Sequence, residues 1–216
     1  MNCCRADRYD VMFDVRMARK DLKHFRKDGP DPTTRALIDA LVAAGVKDAT
    51  VLDVVGGVGA IQHALLEQGA ASTTDIDASA EYLRAAEEEG ERRGAVDRMK
   101  FLHGDFVALA PDIPPVDVVT LDKVICCYPD MEALVAASAS RAKRLYGAVF
   151  PRERWSVKIG FAAVNFFMGI MRRGFRAYVH PVAAIDAALK RQGLSLRAER
   201  QTFVWRVVVY ARARRT

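Results

Sequence analysis

Residues 50–61, TVLDVVGGVGAI, constrain the fold more than any other stretch of the chain. The apolar, β-branched run reads as a buried strand that ends in a carboxylate, Asp53, and then in glycines. Ile61, Leu65 and Leu66 follow at helical spacing, and Gly69 stands where a helix C′ glycine belongs. The pattern is a strand, a glycine turn and a helix. Such a turn lets backbone approach a ligand closely, and the helix N-terminus presents free N–H groups. The competing readings are an ordinary tight turn and a dinucleotide site. The second fails on spacing, because Gln62 stands where the third glycine is required after Gly57 and Gly59.

The following strands decide between the remaining readings. Residues 71–76 form a second strand that ends at Asp77, eighteen positions after Gly59. An acid at about that distance from a glycine turn suits a ribose diol, because a carboxylate accepts from two hydroxyls. Asp75 lies on the same strand face one step deeper, so Asp77, at the strand end, is the preferred residue. A helix cap is the competing role for Asp77. Tyr82, Leu83 and Ala86 share one side of the next helix, and residues 87–93 read as its charged, solvated end. Residues 99–106 give a third strand that ends in Gly104, Asp105 and Phe106. Residues 115–122 give a fourth that ends in Asp122. Carboxylates repeated at strand C-termini mark the edge where open α/β sheets bind ligands.

These residues resemble the class I S-adenosylmethionine-dependent methyltransferases, whose first motif is D-x-G-x-G-x-G. Asp53, Gly57 and Gly59 match it, and Val55 replaces its first glycine. The resemblance implies one Rossmann-like α/β domain. Its sheet is mostly parallel, with seven strands and a C-terminal antiparallel hairpin, and S-adenosylmethionine is the cofactor. It assigns Asp53, Val55, Gly56, Gly57 and Gly59 to the cofactor loop. Asp77, with Ala78, takes the ribose; Asp105, with Phe106, takes the adenine; and Asp122 lies near the methionine portion. The segment after the fourth strand lines the methyl-donor site in this family, which points to Cys127 and Tyr128. Cys126 and Cys127 read equally as small packing residues. Local similarity extends to the magnesium-protoporphyrin O-methyltransferase branch, in the N-terminal arm, the Asp53 loop and residues 122–128. No residue there identifies a porphyrin.

Val55 is the departure from the motif. A β-branched residue avoids positive φ, so Val55 is expected to keep φ negative and extend the strand while Gly56, Gly57 and Gly59 make the turn. Residues 10–27 read as a basic amphipathic helix, and residues 1–31 are taken as an N-terminal arm ahead of a domain over 32–216. Asp31 and Pro32 start a second helix, which Gly45 ends. Met131, Leu134, Val135, Ala142 and Leu145 read as one helix face after Asp130, and residues 147–150 as the fifth strand. Residues 155–171 are apolar around the whole helical circumference, so they should be buried or covered. Three readings stay open there: core, a lid over an apolar pocket, or a membrane-surface helix aided by Lys158, Arg172 and Arg173. Pro181 starts a helix with core residues Val182, Ile185 and Leu189. His180, just before it, is either a substrate-contacting base or a helix-start residue. Residues 194–198 and 203–210 form the terminal hairpin.

The chain has 216 residues, 51% of them hydrophobic, which suits one sizeable core. The net charge of +6 sits largely on the arm and the tail, and it reads as solvated faces rather than a nucleic-acid surface. No secretory leader is expected at the N-terminus, and the longest apolar stretch, residues 159–171, is too short to span a bilayer. The four cysteines form two adjacent pairs without metal-ligand spacing, so no metal site is assigned and a reducing, cytoplasmic setting is expected. The expected activity is methyl transfer to a small-molecule O-, N- or C-nucleophile, with His180 and Tyr128 as the catalytic candidates. The alternative is a catalytically silent methyltransferase-like scaffold. Nucleic acid is disfavoured as a partner, a membrane surface is the less favoured reading, and the oligomeric state is open.

Overall fold

The computed structural model describes residues 14–170 and 176–213. Expectations for Cys3, Cys4, Met12, Met171, Arg172, Arg173 and Arg215 lie outside the described residues. Helix α1 (Val15–Asp28) begins at an N-cap, Asp14, whose carboxylate accepts from the N–H groups of Arg16 and Met17. Residues 10–13 of the helix expected over 10–27 lie outside the described residues. Helix α2 (Pro32–Ala44) is capped by Asp31, with Pro32 in its first turn, and Gly45 ends it. There follow β1 (Thr50–Val54), α3 (Ala60–Glu67), β2 (Ser72–Asp77), α4 (Ala80–Arg92) and β3 (Met99–His103). The chain continues through α5 (Phe106–Leu109), β4 (Val116–Asp122), α6 (Met131–Arg141), β5 (Ala142–Pro151), α7 (Trp155–Ile170), α8 (Val182–Arg191), β6 (Leu194–Gln201) and β7 (Trp205–Arg212).

One seven-stranded sheet runs in the order β3-β2-β1-β4-β5-β7-β6. The first five strands pair in parallel, and β7 and β6 add antiparallel at the end. Strand alternation feeds two cores. Val51, Val118 and Val149 pack with Leu37 and Leu41 of α2 and Leu65 of α3. Leu52, Val119 and Leu121 pack on the other face with Leu134 of α6 and Leu189 of α8. Each such fully buried aliphatic side chain contributes ~1.5–3 kcal/mol. A third, smaller cluster joins Ala18, Leu22 and Phe25 of α1 to Tyr82 and Ala85 of α4.

Three local expectations are corrected. Ala142 and Leu145 belong to β5, not to the helix before it: β5 is ten residues long because it pairs on both edges, with β4 and β7. The end of α4 is not simply solvated, because Glu89 is fully buried and binds Arg26, Arg92 and Arg93. That ion cluster, with Arg26 also reaching Glu88, ties the arm to the domain. Helix α7 forms as expected but is not core. Of its residues only Val157 is buried, while Trp155 is 76% and Phe166 66% exposed.

Candidate functional site

Order reverses between β1 and β4, since the chain runs outward through β2 and β3 before crossing to β4. That switch point is where open parallel sheets bind ligands. A cavity of about 470 Å³ lies there, at the C-terminal strand ends. Asp53, Val55, Gly56, Gly57, Asp77, Ala78, Asp105, Phe106, Asp122, Cys127 and Tyr128 all line it. Gly59 does not. It takes a left-handed φ of 76° as the N-cap of α3 and faces His63, so it shapes the turn from behind. His180 is also absent from the wall. Its Nε2 lies 2.9 Å from the carbonyl oxygen of Tyr128, and its ring stacks on Tyr178, so its contact with the cavity is indirect.

The acids differ in their partners. Asp53 is 1% exposed and accepts from the Thr120 hydroxyl at 2.6 Å and from Gln62 Nε2 at 3.3 Å. Burial pushes its carboxyl up to about 7. Asp77 accepts from the Ser79 N–H at 2.8 Å, and burial raises it to about 6. The cap of α4 itself is Ser79, so Asp77 keeps its strand-end position while holding the turn. Asp105 caps α5 through the Val107 N–H and accepts from the Tyr128 hydroxyl, 3.2 Å from each of its oxygens. Asp122, also raised by burial, accepts from the Thr34 hydroxyl at 2.5 Å and pairs with Lys123 at 3.3 Å. Lys123 reaches Asp31 at 2.7 Å; burial opposes ionisation of Asp31, but bonds from Lys123, Thr33 and Thr34 hold it well below the usual carboxylate range.

The expectation for the Val55 backbone is overturned. Val55 has φ 57°, in the left-handed region. The reason lies in the buried polar cluster behind it. The Val55 N–H donates to the Ile76 carbonyl at 2.8 Å, and the Gly56 N–H donates to Asp75 Oδ1 at 3.1 Å. Asp75 Oδ2 accepts from Gln62 Nε2 at 2.7 Å. The peptide after Val55 is thus pinned to a carboxylate at zero exposure, and the backbone must turn at Val55 to reach it. A Cβ on Gly56 would lie 2.4 Å from Gln62 Nε2 and 2.7 Å from Asp53 Oδ2, so the glycine is needed there for space.

Sequence reasoning passed over Gln62 and Asp75 as functional parts, and it set the arm apart from the site. Asp21, His24, Phe25 and Asp31 line the cavity from the arm. The Tyr82 hydroxyl, donating to Asp21 at 2.5 Å, holds α1 over α4. The available signals were a glutamine on the inner side of α3 and the aromatic Phe25 in an otherwise basic helix.

Solved structures share this fold. Magnesium protoporphyrin IX methyltransferase from Synechocystis PCC 6803, crystallised with bound SAH, superposes with a TM-score of 0.69 at 22% identity, covering 96% of this chain and 94% of that one. An O-methyltransferase family protein from Burkholderia thailandensis gives a TM-score of 0.70 at 16% identity, over 94% of this chain and 61% of that one. An O-methyltransferase family 2 protein from Planctomyces limnophilus, in complex with apigenin, gives 0.61 at 17% identity, over 87% and 63%. No curated protein matches the chain in sequence. Residues 51–144, from β1 into β5, match the family model described as a methyltransferase domain. With that match and the strand order above, the chain carries a methyltransferase domain on the class I S-adenosylmethionine-dependent methyltransferase fold.

Proposed function

We propose that this chain transfers a methyl group from S-adenosylmethionine to a small-molecule acceptor. The observation that carries the reading is the acid-lined cavity wall: Asp77, Asp105 and Asp122 converge on one space beside a glycine turn. An ionised carboxylate only accepts hydrogen bonds. Such a wall fits a ligand that brings hydroxyl, amino and cationic groups, as this cofactor does, and the volume of about 470 Å³ suits a nucleoside with an amino-acid tail. When bound, the cofactor supplies an electrophilic methyl carbon on a sulfonium centre.

The chain's own residues supply binding and alignment. Asp77 takes the ribose hydroxyls, and Asp105 the adenine amino group beside the Phe106 ring. Asp53, through Gln62 and Thr120, holds the loop that faces the methionine end, and Asp122 completes that end. Displacement needs the nucleophile in line with the methyl carbon, so positioning carries much of the rate. Tyr128 is the catalytic candidate that remains on the wall, its hydroxyl anchored on Asp105. His180 acts through the Tyr128 backbone as a positioning residue. Oxygen, nitrogen and carbon nucleophiles all remain compatible with this wall.

The test is transfer of a labelled methyl group from S-adenosylmethionine into a pool of small metabolites. Incorporation that disappears in the Asp77→Ala variant supports the reading. A protein that binds the cofactor yet labels nothing supports the silent-scaffold alternative, which the Val55 side chain projecting to the cavity favours.

A further inference from the structure

We propose that the outward face of α7 docks on an anionic lipid surface. The helix touches the body of the protein along one stripe. Val157 is buried, Phe161, Asn165 and Met168 are half-buried, and the Asn165 side chain exchanges two hydrogen bonds with the Ala177 backbone. The opposite face should be polar in a helix that ends at water. Instead it carries Trp155, Ile159, Ala162, Ala163, Phe166, Phe167 and Ile170, all exposed. Phe203, 64% exposed on the β6–β7 turn, extends this surface, since the Arg154 guanidinium lies 5.2 Å from its ring centre. A contiguous apolar surface of this kind marks an interaction site.

Charge selects the occupant. The nearby acids are already used: Glu153 pairs with Lys158 at 2.9 Å, and Glu199 with Arg206 at 3.0 Å. Arg154 and Arg176 instead lie over aromatic rings, Arg176 at 5.6 Å from Tyr178. A second copy packed on this face would bring unneutralised arginines together. An anionic headgroup layer neutralises them while the acyl boundary takes the aromatic and aliphatic side chains. The sixteen described residues of α7 reach about 24 Å, less than a bilayer core, which suits a helix lying along the surface. No helix among the described residues is long and apolar enough to cross a membrane.

The test is flotation of the full chain with vesicles of phosphatidylcholine alone and with added phosphatidylglycerol. The protein floats with the anionic vesicles, less at high salt, and a Phe166→Asp/Phe167→Asp variant floats at least about tenfold less. Both substituted side chains are exposed, so the variant keeps the parent's melting temperature. Failure to float with anionic vesicles at low salt overturns the proposal. So does equal flotation of the variant, or a concentration-dependent dimer of the parent that the variant abolishes without any flotation.

Discussion

Replacement of Val55 separates backbone strain from side-chain contact at the cofactor loop. A left-handed conformation costs an L-residue about 1–2 kcal/mol, and Val55 sits at φ 57°. Glycine removes that cost but gives back ~0.5–1 kcal/mol through the added freedom of the unfolded chain. Loss of a partly buried valine, packed against the inner core, costs about 1 kcal/mol more, roughly half the value for full burial. The Val55→Gly protein should therefore lie within about 1 kcal/mol of the parent's stability. Val55→Ala keeps the strain and loses slightly less packing; ~1–2 kcal/mol of strain against ~0.5–1 kcal/mol of glycine freedom leaves it the less stable of the two by roughly 0.5–1 kcal/mol. Chemical denaturation of all three proteins measures this. The side chain also lines the cavity. Its removal should tighten S-adenosylhomocysteine by up to about tenfold, which is about 1.4 kcal/mol, read by calorimetry. An alanine variant as stable as the glycine variant would refute the strain. Weaker ligand binding by Val55→Gly would refute the cavity argument.

Asp77→Ala should weaken S-adenosylmethionine by roughly 1.5–3 kcal/mol, the value of a hydrogen bond to a charged group; unchanged calorimetric affinity in the folded variant sinks the ribose role. In the ligand-free protein, burial holds Asp53 at about 7 and Asp77 at about 6, with Asp75 and Asp122 also raised. The unfolded chain releases these protons first, so their contribution is complete below the ordinary carboxylate range and is lost as pH rises through 6 to 7. His63, lowered by burial to about 4, and His180, lowered in the same direction, oppose this by gaining with pH up to the ordinary histidine range. Four acids outweigh two histidines, so the melting temperature should fall from pH ~5 to pH ~8, and Asp53→Asn should flatten the slope.

The strand–turn–helix and the acids at strand ends were legible because both are local. Alternation and a terminal carboxylate need no partner to be read, and Asp53, Asp77, Asp105 and Asp122 do converge on one cavity. The Val55 torsion was not legible, because it is imposed by Asp75, which holds the Gly56 N–H from nineteen positions further along the chain than Gly56. Ala142 and Leu145, three apart, satisfy helical spacing, and only pairing on both edges assigns them to β5, where they face opposite cores. The arm reads as a solvated basic helix until Glu89 is seen buried under Arg26, which brings Phe25 to the cavity. Apolar content in α7 predicts cover, but composition does not say what provides it.

The account's central claim is that the acid-lined cavity at the strand ends is a cofactor site. Calorimetric titration with S-adenosylhomocysteine and, separately, with NAD tests it most directly. Saturable binding of the first, lost in Asp77→Ala, with no heat from the second is the predicted result. Binding of NAD alone, or of neither ligand by a folded protein, would contradict it.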